Sequence, residues 1–388
     1  MEERHMKKLL CLLAILAALF PASALADDGS LGGTGETVYP LKNADIAMQR
    51  EAIDIRVGEG MSRVTCRFYF KNTGKDAKVL MGFPSFYDSF KLPDGGAYTK
   101  EERGGDISLY RFRTYINGRR IPVAKKKGMP QTEYNQGGDY YPVWYTWNLR
   151  FKRSQALKVE NTYRCRNFGI SDGSEGARYI LKTGALWKGV IGKIDIRMAI
   201  DHTDPSCLSL QEDDLMPDYC TEGGVLVWSK RGFEPDRDIS VYFNRLDLSW
   251  YDINGDYAET GPESGTEAAA WDRSFIKDLY RMERHFQQKH YRSAVWWGDR
   301  IVRLHGKKQT KLFHYYMGVA CYNRRLYQKA VAELDQCGEY GLCHKALALK
   351  KMGKAKEYRE LLYTMAGMQN SGLALWVNSR LKDMGEKI

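Results

Sequence analysis

The chain has 388 residues, with 59 lysines and arginines against 48 acids for a formal net charge of +11, and 43% of its residues are hydrophobic. Enough apolar material for packed cores excludes a disordered polyanion or polycation. No apolar stretch reaches the roughly 20 residues of a membrane-spanning helix, and the length admits two domains with separate cores.

The N-terminus reads MEERHMKKLLCLLAILAALFPASALADDGS. Lys7 and Lys8 precede an apolar run from Leu9 to Phe20, and Ala24-Leu25-Ala26 supplies small residues for cleavage before Asp27. Residues 1–26 are therefore expected to be a signal peptide. The mature protein is expected to be exported, periplasmic or extracellular, and soluble. Cys11 falls inside the apolar run, upstream of the cleavage point, so no lipid-modified N-terminus is expected; Met6 is an equally good start.

Residues 27–250 carry the period-two alternation of half-buried strands. Ile46 and Met48 begin it, followed by Ile53, Ile55 and Val57. In VTCRFYF, Val64, Cys66, Phe68 and Phe70 point one way, and Thr65, Arg67 and Tyr69 the other. Asn117-Gly118 sits between two further runs and predicts a tight hairpin, since both residues tolerate positive φ. Additional strands are expected at Val143–Phe151, Leu157–Cys165, Ile191–Ile200, Val225–Trp228 and Ile239–Phe243. With no helical pattern among them, the expected architecture is an antiparallel β-sandwich.

Residues 251–270 include DINGDYAETGPESGTEAAA, rich in Gly, Pro and acids, and are expected to be a flexible acidic linker. From 271 to 388 the period becomes helical: Phe275, Leu279, Met282 and Phe286 share one face. This region holds 23 Lys and Arg against 11 acids, whereas residues 27–270 hold 33 against 35, so the basic excess belongs to the helices. YRSAVWWGD from Tyr291 matches YQKAVAELD from Tyr327 at a spacing of 36, with a weaker echo, YRELLYTM, at Tyr358. The segment YMGVACYNRRLYQKAV resembles a tetratricopeptide repeat, with Gly318 at the close approach of two helices and Ala330 at the small position of the second. The resemblance implies an all-α helical-repeat domain with a concave, partner-holding face. Its register places Tyr315, Val319, Tyr322 and Asn323 there, beside Arg324 and Arg325.

Seven cysteines follow residue 27. Export permits disulfides, and the polar loop between Cys207 and Cys220 makes that pair the leading candidate. Cys66 and Cys165 could bridge two sheets or remain buried thiols, and Cys321 and Cys337 read as buried thiols. Cys337, Cys343 and His344 form a C-x5-C-H cluster that fits no haem or zinc spacing. Asp252, Asn254, Asp256 and Glu263 match only part of a calcium loop, because Tyr257 replaces its turn glycine. His285 and His290 are five apart, whereas one helical face needs four. His202 reads as a solvated loop residue. No nucleophile-elbow, zinc-protease or phosphate-loop motif is present, and no cofactor or metal is expected.

Binding has better candidates. In VWYTWNLRF, Trp144 falls on the polar face with Thr146, Asn148 and Arg150, which would suit a carbohydrate or peptide if nothing covers it. The segments Ile46–Pro84 and Tyr179–Ile196 resemble an exported bacterial domain-of-unknown-function family, number 4424. The marked positions are Ile46, Met48, Glu51, Ile53, Ile55, Val64, Phe68, Phe70, Asn72 and Phe83-Pro84, then Thr183-Gly184, Trp187, Gly189 and Ile191-Gly192. That resemblance covers about residues 27–250 and implies a mostly β, exported domain with no established activity; Glu51 and Asn72 would be ordinary turn residues.

The expected protein is thus multidomain. A β-sandwich is joined to a basic helical-repeat module in a non-enzymatic binding or scaffolding component of the bacterial cell envelope. The expected partner is another envelope protein held by the helical repeats. The basic module could also meet an anionic polymer or membrane surface, and no nucleic acid is expected. The alternative is a carbohydrate-binding or carbohydrate-processing domain built around Trp144.

Overall fold

The computed structural model describes residues 29–34, 37–40, 42–85, 109–128, 143–169, 174–246, 248, 273–306 and 310–386. The expected signal peptide and linker, with its partial calcium loop, lie outside the described residues. The strands in chain order are β1 (Gly29–Thr34), β2 (Thr37–Pro40), β3 (Ile46–Val57), β4 (Met61–Asn72), β5 (Ala77–Pro84), β6 (Leu109–Ile116), β7 (Arg119–Ile121), β8 (Ala124–Gly128), β9 (Val143–Phe151), β10 (Ala156–Arg166), β11 (Phe168–Gly169), β12 (Glu175–Tyr179), β13 (Ile191–Ile200), β14 (Leu208–Ser209), β15 (Tyr219–Cys220), β16 (Leu226–Phe233) and β17 (Ile239–Phe243). Among the described residues seven α-helices follow: α1 (Arg273–Gln287), α2 (Tyr291–His305), α3 (Lys311–Asn323), α4 (Tyr327–Leu334), α5 (Leu342–Lys351), α6 (Ala355–Ala366) and α7 (Ser371–Asp383). A β region followed by a helical region is the order the periodicities predict.

The sheets differ from the expected all-antiparallel arrangement. Eight strands form one sheet in the order β15-β16-β13-β3-β4-β10-β6-β7, and five close on themselves as β1-β2-β8-β9-β5. Two pairs, β3 with β13 and β2 with β8, are parallel. Strands so distant in sequence are not bound by the hairpin constraint that makes neighbours antiparallel. The hairpin at Asn117-Gly118 forms as read, with φ of 48° and 83°, and Ile116 faces Arg119 across it.

Alternation in β4 is as expected, with Val64, Cys66, Phe68 and Phe70 buried. In β3 it is interrupted: a bulge between Met48 and Arg50 shifts the pairing with β4. Glu51 is thereby turned inward in mid-strand and fully buried, not placed at a strand start. Its Oε1 accepts from the Tyr179 hydroxyl at 3.1 Å. The ring of Trp187 lies 4.6 Å from that of Phe70, so the two segments carrying the family resemblance pack on each other. Asn72 does behave as a turn residue, its Oδ1 accepting from the amide of Gly74 at 2.9 Å.

Three helix entries share one backbone shape. His290, Leu326 and Lys354 have φ, ψ of −81°, 59°; −88°, 59°; and −79°, 64°. Each follows a left-handed residue: Lys289, Arg325 and Gly353. Aligned on these turns, Tyr358 matches Ala330 and Ala294, so the third echo is three residues out of the register read from its tyrosine. A side chain at Gly318 would meet Leu334 Cγ at 2.5 Å, as the close approach of α3 and α4 requires.

The two regions do not behave as separate beads. One core runs from Phe68, Ile196 and Val241 of the sheets to Leu347, Leu362 and Trp376 of the helices. A second joins Cys207, Leu246 and Leu248 to Phe275, Phe313 and Tyr316.

Candidate binding cleft at the seam

The seam is built around the turn Asp204–Cys207. Asp204, fully buried, caps a short 3-10 turn with Pro205 at its first position, where the missing amide hydrogen costs nothing. Its Oδ1 accepts from the Ser206 amide at 3.1 Å and the Ser206 hydroxyl at 2.9 Å. Its Oδ2 lies 3.4 Å from Nδ1 of His344 on α5. That separation makes an ion pair whenever the imidazole is protonated. The rings of Tyr315 and Tyr322 stand edge-on to His344 at 6.1 and 5.8 Å.

Helix α7 clamps both ends of this seam. At its start, the Asn370 side chain caps the helix through Leu373 N and donates to the Ser206 carbonyl at 2.7 Å. The Ser371 hydroxyl accepts from the amide of Leu210 at 2.9 Å. Toward its end, the Ser379 hydroxyl accepts from the Cys220 amide at 2.9 Å, and Arg380 donates to the Cys220 carbonyl at 2.8 Å. The four bonds that cross the seam each satisfy a strand-end or loop backbone group of the β region.

Beside the contacts at the start of α7 a cleft of about 570 Å3 opens, walled by Ser206–Ser209 and Asn244 from the β region and by Lys311, Cys337–Tyr340 and Gln369–Ser371 from the helices. Its polar groups are amides, hydroxyls, one ammonium and one carboxylate, which suits hydrogen bonding to a polar, near-neutral ligand.

The structure redistributes the predicted site residues. Tyr315 and Val319 are buried at 5% and 4% exposure, because the protein's own Asp204 turn and α5 cover the face expected to be concave and open. Tyr322 is half-buried against His344 and Tyr327. Asn323, Arg324 and Arg325 are exposed, and Asn323 donates to the Val319 carbonyl at 2.9 Å. Trp144 is 2% exposed, packed with Leu31 of β1 and Ile180. The closed five-stranded sheet is covered on both faces there, which removes the seat of the carbohydrate reading. Cys207 and Cys220 are free thiols. They lie in different cores, so the expected disulfide is absent. Cys66 and Cys165 are also free; they sit on β4 and β10, paired neighbours within one sheet, and not on opposing sheets.

Burial pushes the Cys207 and Cys220 thiols up to about 12, and Cys343 is raised in the same direction. Among the described residues no group of three or more His, Cys, Asp or Glu side chains has the geometry to hold a metal ion, Cys337, Cys343 and His344 included. His202 is half-buried in a left-handed turn, more enclosed than the solvated loop reading expects. Sequence reasoning missed Asp204, Asn370, Ser371, Ser379 and Arg380. Only the Asp-Pro step and the Asn-Ser helix start were visible as capping signals, and neither reveals what it caps against.

No protein-family model matches the chain, and no curated protein does. Among solved structures, a candidate nutrient-binding protein from Legionella pneumophila is similar at 22% identity and a TM-score of 0.44, covering 70% of this chain and 92% of its own. An M1 zinc metallopeptidase from Deinococcus radiodurans is similar at 8% identity and a TM-score of 0.28, covering 88% of this chain and 82% of its own. Likenesses this slight transfer neither fold nor activity.

Proposed function

We propose that the chain is an exported binding protein of the bacterial cell envelope that holds a polar, small-molecule-sized ligand in the seam cleft. The observation that carries this reading is the cleft itself: hydrogen-bonding groups from both regions converge on one opening. The signal-like N-terminus supports export, and the resemblance to family 4424 supports an envelope setting. The shared helix-entry geometry supports a tetratricopeptide-like module, and the facing inner surfaces of the sheets support a sandwich-like β domain. Lys311 and Gln369 are the groups to test, because neither holds the seam together. Native mass spectrometry of the protein isolated from an envelope fraction should reveal a bound small molecule, lost in Lys311→Glu and Gln369→Ala. A wild-type protein carrying no ligand from its native compartment, and none after incubation with a polar envelope extract, would sink this reading.

A second reading keeps a protein partner on the helices. Exposed Arg324 and Arg325 border a groove lined by Leu326, Tyr327 and Met352, and Leu326 is 41% exposed. Crosslinking from position 324 to a defined envelope protein, with an empty cleft, would favour it.

A further inference from the structure

We propose that the outer face of α2 docks on an anionic phospholipid bilayer. Trp296 is 55% exposed and Leu304 54% exposed, both on this one helix. At 100° per residue, Arg292, Arg300, Arg303 and Leu304 all fall within about one quadrant of Trp296 to either side. The arginines therefore surround the indole and do not oppose it.

The face is held rigid from behind. The Trp297 ring meets Trp296 edge-on at 5.0 Å, with the guanidinium groups of Arg281 and Arg300 over it at 5.2 and 5.6 Å. Asp278 fixes those two arginines at 2.8 and 3.8 Å. Arg292 and Arg303 have no ion pair among the described residues. The nearby acid Asp299 is occupied by Lys329 at 2.8 Å. The face is net positive, with an exposed indole at its centre and an exposed leucine at its edge.

The combination selects the occupant. A soluble polyanion would neutralise the arginines and leave Trp296 and Leu304 in water. A bilayer surface accepts both at once: the indole settles at headgroup depth, the leucine reaches the acyl boundary, and Arg292 and Arg303 extend to lipid phosphates. No helix among the described residues is long and apolar enough to cross a membrane, and the geometry needs only attachment to the surface.

The test is co-sedimentation of residues 27–388 with vesicles of equal phosphatidylglycerol and phosphatidylcholine, with phosphatidylcholine alone as control. Binding is expected only to the anionic vesicles and is expected to weaken as salt rises. Trp296→Ala should weaken it at least tenfold, and Arg292→Glu with Arg303→Glu should abolish it. All three side chains face solvent, so thermal midpoints should stay unchanged and misfolding can be recognised separately. Absence of binding to anionic vesicles would overturn the proposal. So would full retention of binding in Trp296→Ala, particularly if soluble polyphosphate competes completely, which would mark a site for polyanions alone. Capture of a protein by this face without lipid affinity would overturn it as well.

Discussion

A side chain at Gly372 would overlap the carbonyl oxygen of Pro205 and press on Leu208, so the first turn of α7 touches the backbone of the Asp204 turn with nothing between them. Gly372→Ala should force the two regions apart along the seam, at a cost of about 3 kcal/mol. Gly367, five residues earlier, has only ordinary contacts beyond its Cβ position and a φ of −80°. Gly367→Ala should therefore be neutral or stabilising by up to about 1 kcal/mol. Denaturant unfolding of both variants checks the contrast, and equal effects would contradict the described seam.

Trp144 supports stability, not recognition. Removing its buried indole from the cluster with Leu31 and Ile180 should cost about 3–5 kcal/mol. Retention on immobilised glycans should not change in samples that remain folded. Selective loss of glycan retention at unchanged melting temperature would restore the carbohydrate reading.

All seven cysteines after residue 27 are buried and free, so a thiol reagent should find none in the native protein and all of them in denaturant. Burial raises Cys165, Cys207 and Cys220 from 9.0 to about 12. A thiol raised on folding contributes its full stability below the unfolded value. That contribution is lost as pH climbs through the folded one. Stability should accordingly be flat toward neutral pH and fall between pH 9 and pH 12, with a slope of about 1.4 kcal/mol per pH unit for each such thiol. Urea midpoints across this range, compared with Cys165→Ala, measure the contribution.

The charged bonds across the seam should be unequal. Lys350 and Glu222 meet at 2.7 Å, with both side chains about half exposed. Hydrogen bonding to Lys350 lowers Glu222, so the pair's contribution is present above the usual carboxylate range and is lost as acid protonates Glu222. Solvent screening limits that contribution to about 0.5 kcal/mol or less. Arg380 is 5% exposed and donates to the Cys220 carbonyl. Arg380→Met should cost about 2 kcal/mol, and Glu222→Gln should hardly register. Parallel thermal unfolding of the two variants tests the ranking.

Local pattern was legible where a residue's neighbours in sequence settle its environment. The alternation of β4, the Asn117-Gly118 turn and the Gly318 approach all depend on short-range geometry that residue type imposes. Glu51 was misread because the change of parity from Ile46 and Met48 to Ile53, Ile55 and Val57 comes from a bulge inside one strand and not from the start of a new one. Trp144, Tyr315 and Val319 were misread for a shared reason. Periodicity shows that a face exists, not what covers it.

By itself the sequence determined the order of strands and helices, the concentration of positive charge in the helices and the signal-like N-terminus, since each rests on local propensity or composition. Tertiary structure alone decided that α7 clamps the strand ends, that the Asp204 turn fills the helical face and that Cys207 and Cys220 remain free thiols in different cores. Those outcomes depend on contacts between residues more than a hundred positions apart, which carry no local periodic signal.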